Sequence, residues 1–197
     1  MDFIHIFILS IIQGITEFLP ISSQSHLILT SYLLGLKDQG LGFDIALHFG
    51  SLIAILIYYR KEIRSLLSLN DEGVNYLKLI IIGSIPLPIV GLLFIDIVSQ
   101  NMRSIFSIAL MTILFAVILY LADVKKKEVV TRFENISIYT IIFIGLMQTL
   151  AIMPGVSRSG IVITAALLAN FSREDSIKIA FLLSIPAIFM ATVYQSM

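Results

Sequence analysis

The sequence predicts an all-α, polytopic integral membrane protein forming a single membrane domain over residues 1–197, in which two short helical hairpins dip into the membrane from opposite faces. Three observations lead there. Of the 197 residues, 58% are hydrophobic and 13% charged, with a mean hydropathy of +0.99, which is more apolar surface than one soluble core absorbs. Uncharged apolar runs of about the length needed to cross a ~30 Å hydrocarbon core occupy residues 79–95, 104–122, 136–153 and 179–197, and a shorter run at 45–59 extends back through Phe43. Finally, the apolar segments 3–18 and 27–36 are separated by Pro20 and a Ser-Ser-Gln-Ser run, and 136–153 and 160–171 are separated at Pro154.

Taken in order, each element has a physical reason. Lipid offers no partners to backbone N–H and C=O groups, so the long runs must be helices. Pro86, Pro88 and Pro186 predict kinks rather than breaks, because neighbouring helices satisfy the freed carbonyls. Residues 1–36 and 136–171 are each read as a re-entrant hairpin, since their halves are too short or too polar at one end to cross. Basic residues orient the whole. Arg60, Lys61 and Arg64 form one cluster and Lys125, Lys126, Lys127 and Arg132 another, which places both loops in the cytoplasm. The first hairpin then enters from the outer face. The second enters from the cytoplasm and returns there near Arg173 and Lys178.

The two hairpins also resemble each other. Residues 18–25 align with 152–159, pairing Pro20 with Pro154, Ser23 with Ser157, Gln24 with Arg158 and Ser25 with Ser159. With opposite insertion, this reads as an inverted repeat whose broken helices meet near the midplane. Residues 1–135 form the first repeat, a hairpin and three spans. Residues 136–197 form an incomplete second repeat, a hairpin and one span, so the symmetry predicts that two C-terminal spans are missing.

Composition removes several classes of function. A formal net charge of zero argues against nucleic-acid binding, and the absence of cysteine removes disulfides, thiolate metal sites and cysteine nucleophiles. The N-terminal run lacks a basic leader and a small-residue cleavage site, so it reads as part of the mature protein.

The residues that carry chemistry cluster at the two breaks. An Arg at the bilayer centre costs roughly 2.5 to 3.5 kcal/mol, so Arg158 is presumed functional, with Glu17 as its candidate partner. Gln13 and Glu17 lie four apart, on one helical face; Glu17 could bind a metal, act as a base or balance Arg158. Ser22, Ser23, Ser25 and His26 follow at once. One of these hydroxyls is explained as a helix cap, but four polar groups on one turn are not. These hydroxyls and the first N–H groups of a half-helix make an anion site. Ser157, Arg158 and Ser159 repeat it, with Gly155 and Gly160 letting the backbone approach a ligand and Arg158 offering a fork suited to phosphate. A phosphate or diphosphate fits this better than a carboxylate. His26, three residues after Ser23, can take the hydroxyl proton or attack phosphorus itself. His5 and His48 read mainly as structural, with His48 and Asp44 lining the cavity as the alternative.

Gln13-x-x-x-Glu17, Phe18-Leu-Pro-Ile-Ser-Ser23 with His26, Phe49-Gly-Ser51 and Pro154-Gly-Val-Ser-Arg-Ser-Gly160 occur in the order found in the bacterial undecaprenyl-diphosphate phosphatases of the bacitracin-resistance type, which this chain resembles over most of its length. The resemblance implies an enzyme that removes the terminal phosphate of a C55 polyprenyl diphosphate at the outer face of the plasma membrane, regenerating the carrier lipid for peptidoglycan synthesis and conferring bacitracin resistance. It implies a divalent cation, Mg2+ or Ca2+, for which Gln13 and Glu17 are the candidate ligands, and membrane lipids as surroundings; a homodimer is left open. It makes Glu17, Ser23, His26 and Arg158 catalytic, with Ser23 the favoured nucleophile and His26 the other, and puts Ser22, Ser157, Ser159, Gly155 and Gly160 around phosphate. The family's threonine four residues after the motif Arg is Val162 here, with Thr164 two residues on. A polyprenyl-phosphate transporter or flippase is the alternative, since inverted repeats with broken helices suit alternating access.

Overall fold

The computed structural model describes residues 2–67, 71–125, 133 and 136–196. It is helical throughout, with no β-strand among the described residues. Four helices are long and apolar enough to cross a membrane: Leu41–Tyr58, Gly73–Phe94, Ile105–Val124 and Arg173–Gln195. Together with the apolar surface they expose, this makes the chain an all-α integral membrane protein.

In chain order the helices are α1 (Phe3–Thr16), α2 (Ser23–Leu33), α3 (Leu41–Tyr58), α4 (Arg60–Leu67), α5 (Asp71–Ser84), α6 (Pro86–Asn101), α7 (Ile105–Val124), α8 (Ile138–Gln148), α9 (Arg158–Leu168) and α10 (Arg173–Ser196). A 3₁₀ turn, Thr149–Ile152, extends α8. The elements predicted as broken hairpins are the short ones. With 14 residues in α1 and 11 in each of α2, α8 and α9, none exceeds about 21 Å at 1.5 Å per residue, short of a ~30 Å hydrocarbon core. They pack instead as the pairs α1/α2 and α8/α9.

The expected kinks resolve in two ways. At residues 84–86 the span divides, α5 ending at Ser84 and α6 starting on Pro86, where a missing N–H removes nothing from the helix. Pro186 lies inside an unbroken α10. Helical structure also extends beyond the apolar runs that predicted it. α10 begins at Arg173, not near Ile179, because Ser172 Oγ accepts from Asp175 N–H at 2.8 Å and Glu174 and Asp175 occupy its first turn, a capping pattern at the positive end of the helix. The basic stretch after α3 was expected as a loop and is helical as α4. Of the second basic cluster, Lys126, Lys127 and Arg132 lie outside the described residues.

α9 is the hub. Ser159 through Leu167, apart from Ile163, are buried, and the helix packs on α10, α7 and α8. A helix apolar on all sides belongs in an interior, and here Ile161, Val162 and Ala165 meet Ile144, Leu182 and Leu183 in the main core. Where α8 crosses α5, Gly145 lies so close to the Gly83 carbonyl that no side chain fits, a small-residue crossing of the kind membrane helices use. The core therefore holds the start of α9 at a fixed height against the turn after α1.

Candidate active site

That turn is where the site forms. Ser159 Oγ donates to Leu19 O at 3.3 Å, and a side-chain carbon on Gly160 would be 3.4 Å from the Pro20 ring. The tips of the two hairpins are thus in contact, and groups 141 residues apart in sequence meet: Arg158 Nη2 donates to Glu17 Oε1 at 2.5 Å, while its Nη1 donates to Ala180 O at 3.0 Å. The pair is shielded from solvent, with Arg158 14% and Glu17 6% exposed.

Glu17 collects further donors on its other oxygen. Oε2 accepts from Ser23 Oγ at 2.7 Å and from Gln13 Nε2 at 3.1 Å. The four-residue spacing of Gln13 and Glu17 does place them on one face. A residue beyond the predicted set completes the cluster: His48 Nε2 lies 3.1 Å from Glu17 Oε2 and 3.3 Å from Ser23 Oγ. Its Nδ1 is 2.6 Å from Asp44 O. A carbonyl can only accept, so Nδ1 carries a hydrogen, and Nε2 in turn faces the Glu17 carboxylate, which also only accepts.

Glu17, Ser23, Asp44, His48 and Arg158 line a cavity of about 550 Å³. One part of its wall is polar and built from two helix starts, Ser22, Ser23 and Gln24 on α2 and Ser157, Arg158 and Ser159 on α9. Ser157 caps α9, its Oγ accepting from Gly160 N–H at 3.1 Å. Ser22 adopts φ of +61° and makes no such cap; its Oγ accepts from Ser25 at 2.8 Å. The rest of the wall is apolar, including Leu87 and Leu92 from α6 and Ile188, Phe189 and Val193 from α10. Such a cavity suits an amphiphile with an anionic head and a hydrocarbon body.

Next to the cavity lies a polar strut. Asp44 Oδ2 accepts from Gln24 Nε2 and from Arg103 Nη2, each at 3.3 Å, and Arg103 grips Asp38 with two bonds of 2.8 Å. The strut joins the α2–α3 loop, the first turn of α3 and the α6–α7 corner. Partial burial pushes the Asp38 carboxyl up, but the Arg103 fork and the Gly40 N–H outweigh it and hold Asp38 below its ordinary value. Burial pulls Arg103 down, and Asp38 and Asp44 together more than reverse it.

Other predicted residues stand elsewhere. His26 does not line the cavity; its Nδ1 lies 2.9 Å from Ser22 O, one turn back on its own helix. Gly155 and Gly160 also lie off the cavity wall. Gly155 has φ of +99°, and a side-chain carbon there would be 2.5 Å from Ile108 O, so its bareness serves packing against α7. At Gly160 a side-chain carbon would be 3.1 Å from Ser157 Cβ, so its bareness serves the Ser157 cap. Thr164 is buried with its hydroxyl on Gly160 O at 2.7 Å, so it does not reach the cavity as a substitute for the threonine absent at Val162.

Gln13 and Glu17 do not fit a divalent cation as they are folded. Both Glu17 oxygens are taken by donors, one of them the Arg158 guanidinium, which would repel an ion on the same carboxylate. Gln13 Oε1 is buried without a partner. Among the described residues no group of His, Cys, Asp and Glu forms a metal cluster.

Comparison with known proteins gives this geometry a family. Residues 6–197 match the family model described as bacitracin resistance protein BacA. The chain belongs to the BacA family. Curated relatives agree: an undecaprenyl-diphosphatase 1 of Pseudoalteromonas translucida (strain TAC 125) is 44% identical over 207 residues, covering 100% of this chain and 77% of the relative. An undecaprenyl-diphosphatase of Elusimicrobium minutum (strain Pei191) is 47% identical over 201 residues, covering 99% and 76%, and one of Campylobacter curvus (strain 525.92) is 46% identical over 208 residues, covering 100% and 77%. The BacA resemblance drawn from the two hairpin motifs is therefore correct.

Within this BacA-family site, sequence reasoning had placed Arg158 with Glu17 and Ser23 and left His48 in second place. The signal for His48 was its spacing of four from Asp44, which puts both on one face of α3. No sequence signal pointed to Arg103, which follows the end of α6 and reaches the site through Asp44.

Proposed function

We infer that this chain hydrolyses undecaprenyl diphosphate to undecaprenyl phosphate and inorganic phosphate, recycling the lipid carrier of peptidoglycan synthesis and thereby conferring resistance to bacitracin. The observation that carries this is the buried Arg158–Glu17 pair with Ser23 Oγ on the same carboxylate, set between two helix starts at the polar part of an otherwise apolar cavity. The names of the relatives support the same substrate. Arg158 binds the terminal phosphoryl oxygens through its planar fork, and the first N–H groups of α2 and α9 add donors of matching sign. Ser23 is the nucleophile. Ser157 and Ser159 steady the oxygens that Arg158 does not reach, and the apolar wall takes the first part of the prenyl chain. In this reading the cavity opens toward the outer face of the bacterial plasma membrane, as the basic clusters orient the spans.

A hydroxyl in contact with both a carboxylate and an imidazole favours bond breaking over transport, since a carrier needs binding groups but no nucleophile. The test is phosphate release from undecaprenyl diphosphate by the purified protein in detergent, with Arg158→Ala and Ser23→Ala alongside. The wild type releases phosphate and both variants are at background. Wild-type rates in either variant would remove these residues from the site, and no release by the folded wild type would remove the activity.

A further inference from the structure

We propose that Gln24 binds the lipid-linked phosphate of the substrate, as the first hairpin's counterpart of Arg158 in the second, and that Asp44 and Arg103 are the positioning residues that aim its amide. This rests on the hydrolytic reading above and deepens it, giving the second phosphoryl group of the diphosphate a residue of its own.

Three observations carry it. Gln24 lines the cavity beside Ser23, at the position that the hairpin repeat pairs with Arg158. Each of the two leans on a carboxylate from another element, Arg158 Nη2 on Glu17 Oε1 at 2.5 Å and Gln24 Nε2 on Asp44 Oδ2 at 3.3 Å. A carboxylate only accepts, so the amide nitrogen of Gln24 faces Asp44, and that bond takes one of its two hydrogens, leaving the other for a ligand. The second observation is the order of groups along α3. Leu41, Asp44, Ile45 and His48 all line the cavity, as one face of a helix does at spacings of three and four. His48 Nε2 lies 3.3 Å from Ser23 Oγ, so a phosphate held by Ser23 and Arg158 stands level with His48. Asp44, with Gln24, is one turn on, about 6 Å along the helix axis, and Leu41 follows on the same face. The substrate has the same order: terminal phosphate, lipid-linked phosphate, hydrocarbon. Third, Arg103 Nη2 donates to Asp44 Oδ2 at 3.3 Å while the same guanidinium grips Asp38. The carboxylate beside Gln24 thus carries its own cation, and an anion can approach the amide without meeting a bare negative charge.

The donors match the two phosphates. The terminal phosphate is the more strongly charged and meets the guanidinium fork. The lipid-linked phosphate is joined to carbon on one side and to the bridging oxygen on the other, carries less charge, and meets a neutral amide, which is easier to bury than a second cation. It stays on the lipid when the terminal phosphate is removed. Undecaprenyl phosphate therefore keeps the contact with Gln24, while inorganic phosphate keeps the contact with Arg158, and the two products are recognised by different residues.

The experiment measures inhibition of phosphate release by undecaprenyl phosphate and by inorganic phosphate, each alone, in wild type, Gln24→Ala and Gln24→Met, the last keeping the length of the side chain without its donor. Loss of one hydrogen bond to a charged group should raise the inhibition constant of undecaprenyl phosphate about tenfold and lower kcat/KM by about the same factor, with that of inorganic phosphate changed by less than about twofold. Arg103→Ala should move the same constant in the same direction, and Arg103→Lys should recover part of it, because a cation again faces Asp44. Undecaprenyl phosphate should also raise the thermal midpoint of wild type in detergent, and raise it less in Gln24→Met, a readout independent of turnover. An unchanged inhibition constant for undecaprenyl phosphate in folded Gln24→Met overturns the proposal. So does an equal rise for inorganic phosphate, which would put the amide on the terminal group or in the packing of α2 alone. A wild-type midpoint that undecaprenyl phosphate does not move overturns it without reference to any variant. In each of these cases wild-type phosphate release that is lost in Arg158→Ala leaves the hydrolytic reading standing, whereas no release by the folded wild type removes that reading and leaves the thermal shift to decide on Gln24.

Discussion

Replacing Arg158 by Ala separates what the residue does for the fold from what it does for the reaction. In the free protein its guanidinium donates to Glu17 at 2.5 Å and to Ala180 O at 3.0 Å. With Glu17 only 6% exposed, the substitution leaves a buried carboxylate without its cation, and breaking a buried pair from one side typically costs about 3 to 5 kcal/mol. Most of that belongs to the stranded charge. Adding Glu17→Gln to Arg158→Ala removes the charge, so stability should return to within about 1 to 2 kcal/mol of wild type, as is usual when a whole pair is replaced by neutral groups. Activity should not return, because the double variant has neither the phosphate clamp nor the carboxylate. The two assays are unfolding in detergent followed by helical circular dichroism, and phosphate release from undecaprenyl diphosphate. An Arg158→Ala protein as stable as wild type would refute the pairing. A stable double variant that hydrolyses substrate would refute the assignment of Arg158 to the phosphate.

Further outcomes follow from the same structure. Gly155→Ala forces a side chain into φ of +99° and within 2.5 Å of Ile108 O, so it should lose at least about 1 to 3 kcal/mol and lower the folded yield in detergent. Gln13→Ala removes the 3.1 Å bond to Glu17 Oε2 and should lower kcat by less than about tenfold, a loss near 1 kcal/mol for one hydrogen bond; the divalent-cation concentration giving half-maximal activity should not change, as a titration would show. The Asp38 carboxyl is held below its ordinary value by Arg103, so its contribution to stability is full above the unfolded value near 3.9 and is lost as pH falls through the folded one. Thermal midpoints measured from about pH 6 down to about pH 3 should therefore fall less steeply in Asp38→Asn than in wild type.

The parts of the fold legible in the sequence were those governed by lipid. Residues 45–59, 79–95 and 104–122 had to be helical because a bilayer leaves no alternative, and Pro20 and Pro154 marked the hairpin tips because their segments were too short to cross. Helix ends set by local bonds were not legible from hydropathy: α10 starts at Arg173 through the Ser172 cap, and α4 forms in a stretch whose charge suggested a loop. At the site, Arg158 and Glu17 were found through a physical cost, two opposite charges that lipid would not tolerate apart. His26 was favoured over His48 because three residues separate it from Ser23, yet that spacing turned its Nδ1 back to Ser22 O. The ring that does face Ser23 comes from α3, through tertiary packing that no local spacing reports. Gly155 was likewise read as ligand-facing, when its neighbour is α7.

The most direct measurement of the central claim is the product balance of the folded protein in proteoliposomes carrying undecaprenyl diphosphate. Wild type should form undecaprenyl phosphate and inorganic phosphate in equal amounts, and Ser23→Ala should form neither. A Ser23→Ala protein that formed both at the wild-type rate would contradict the account.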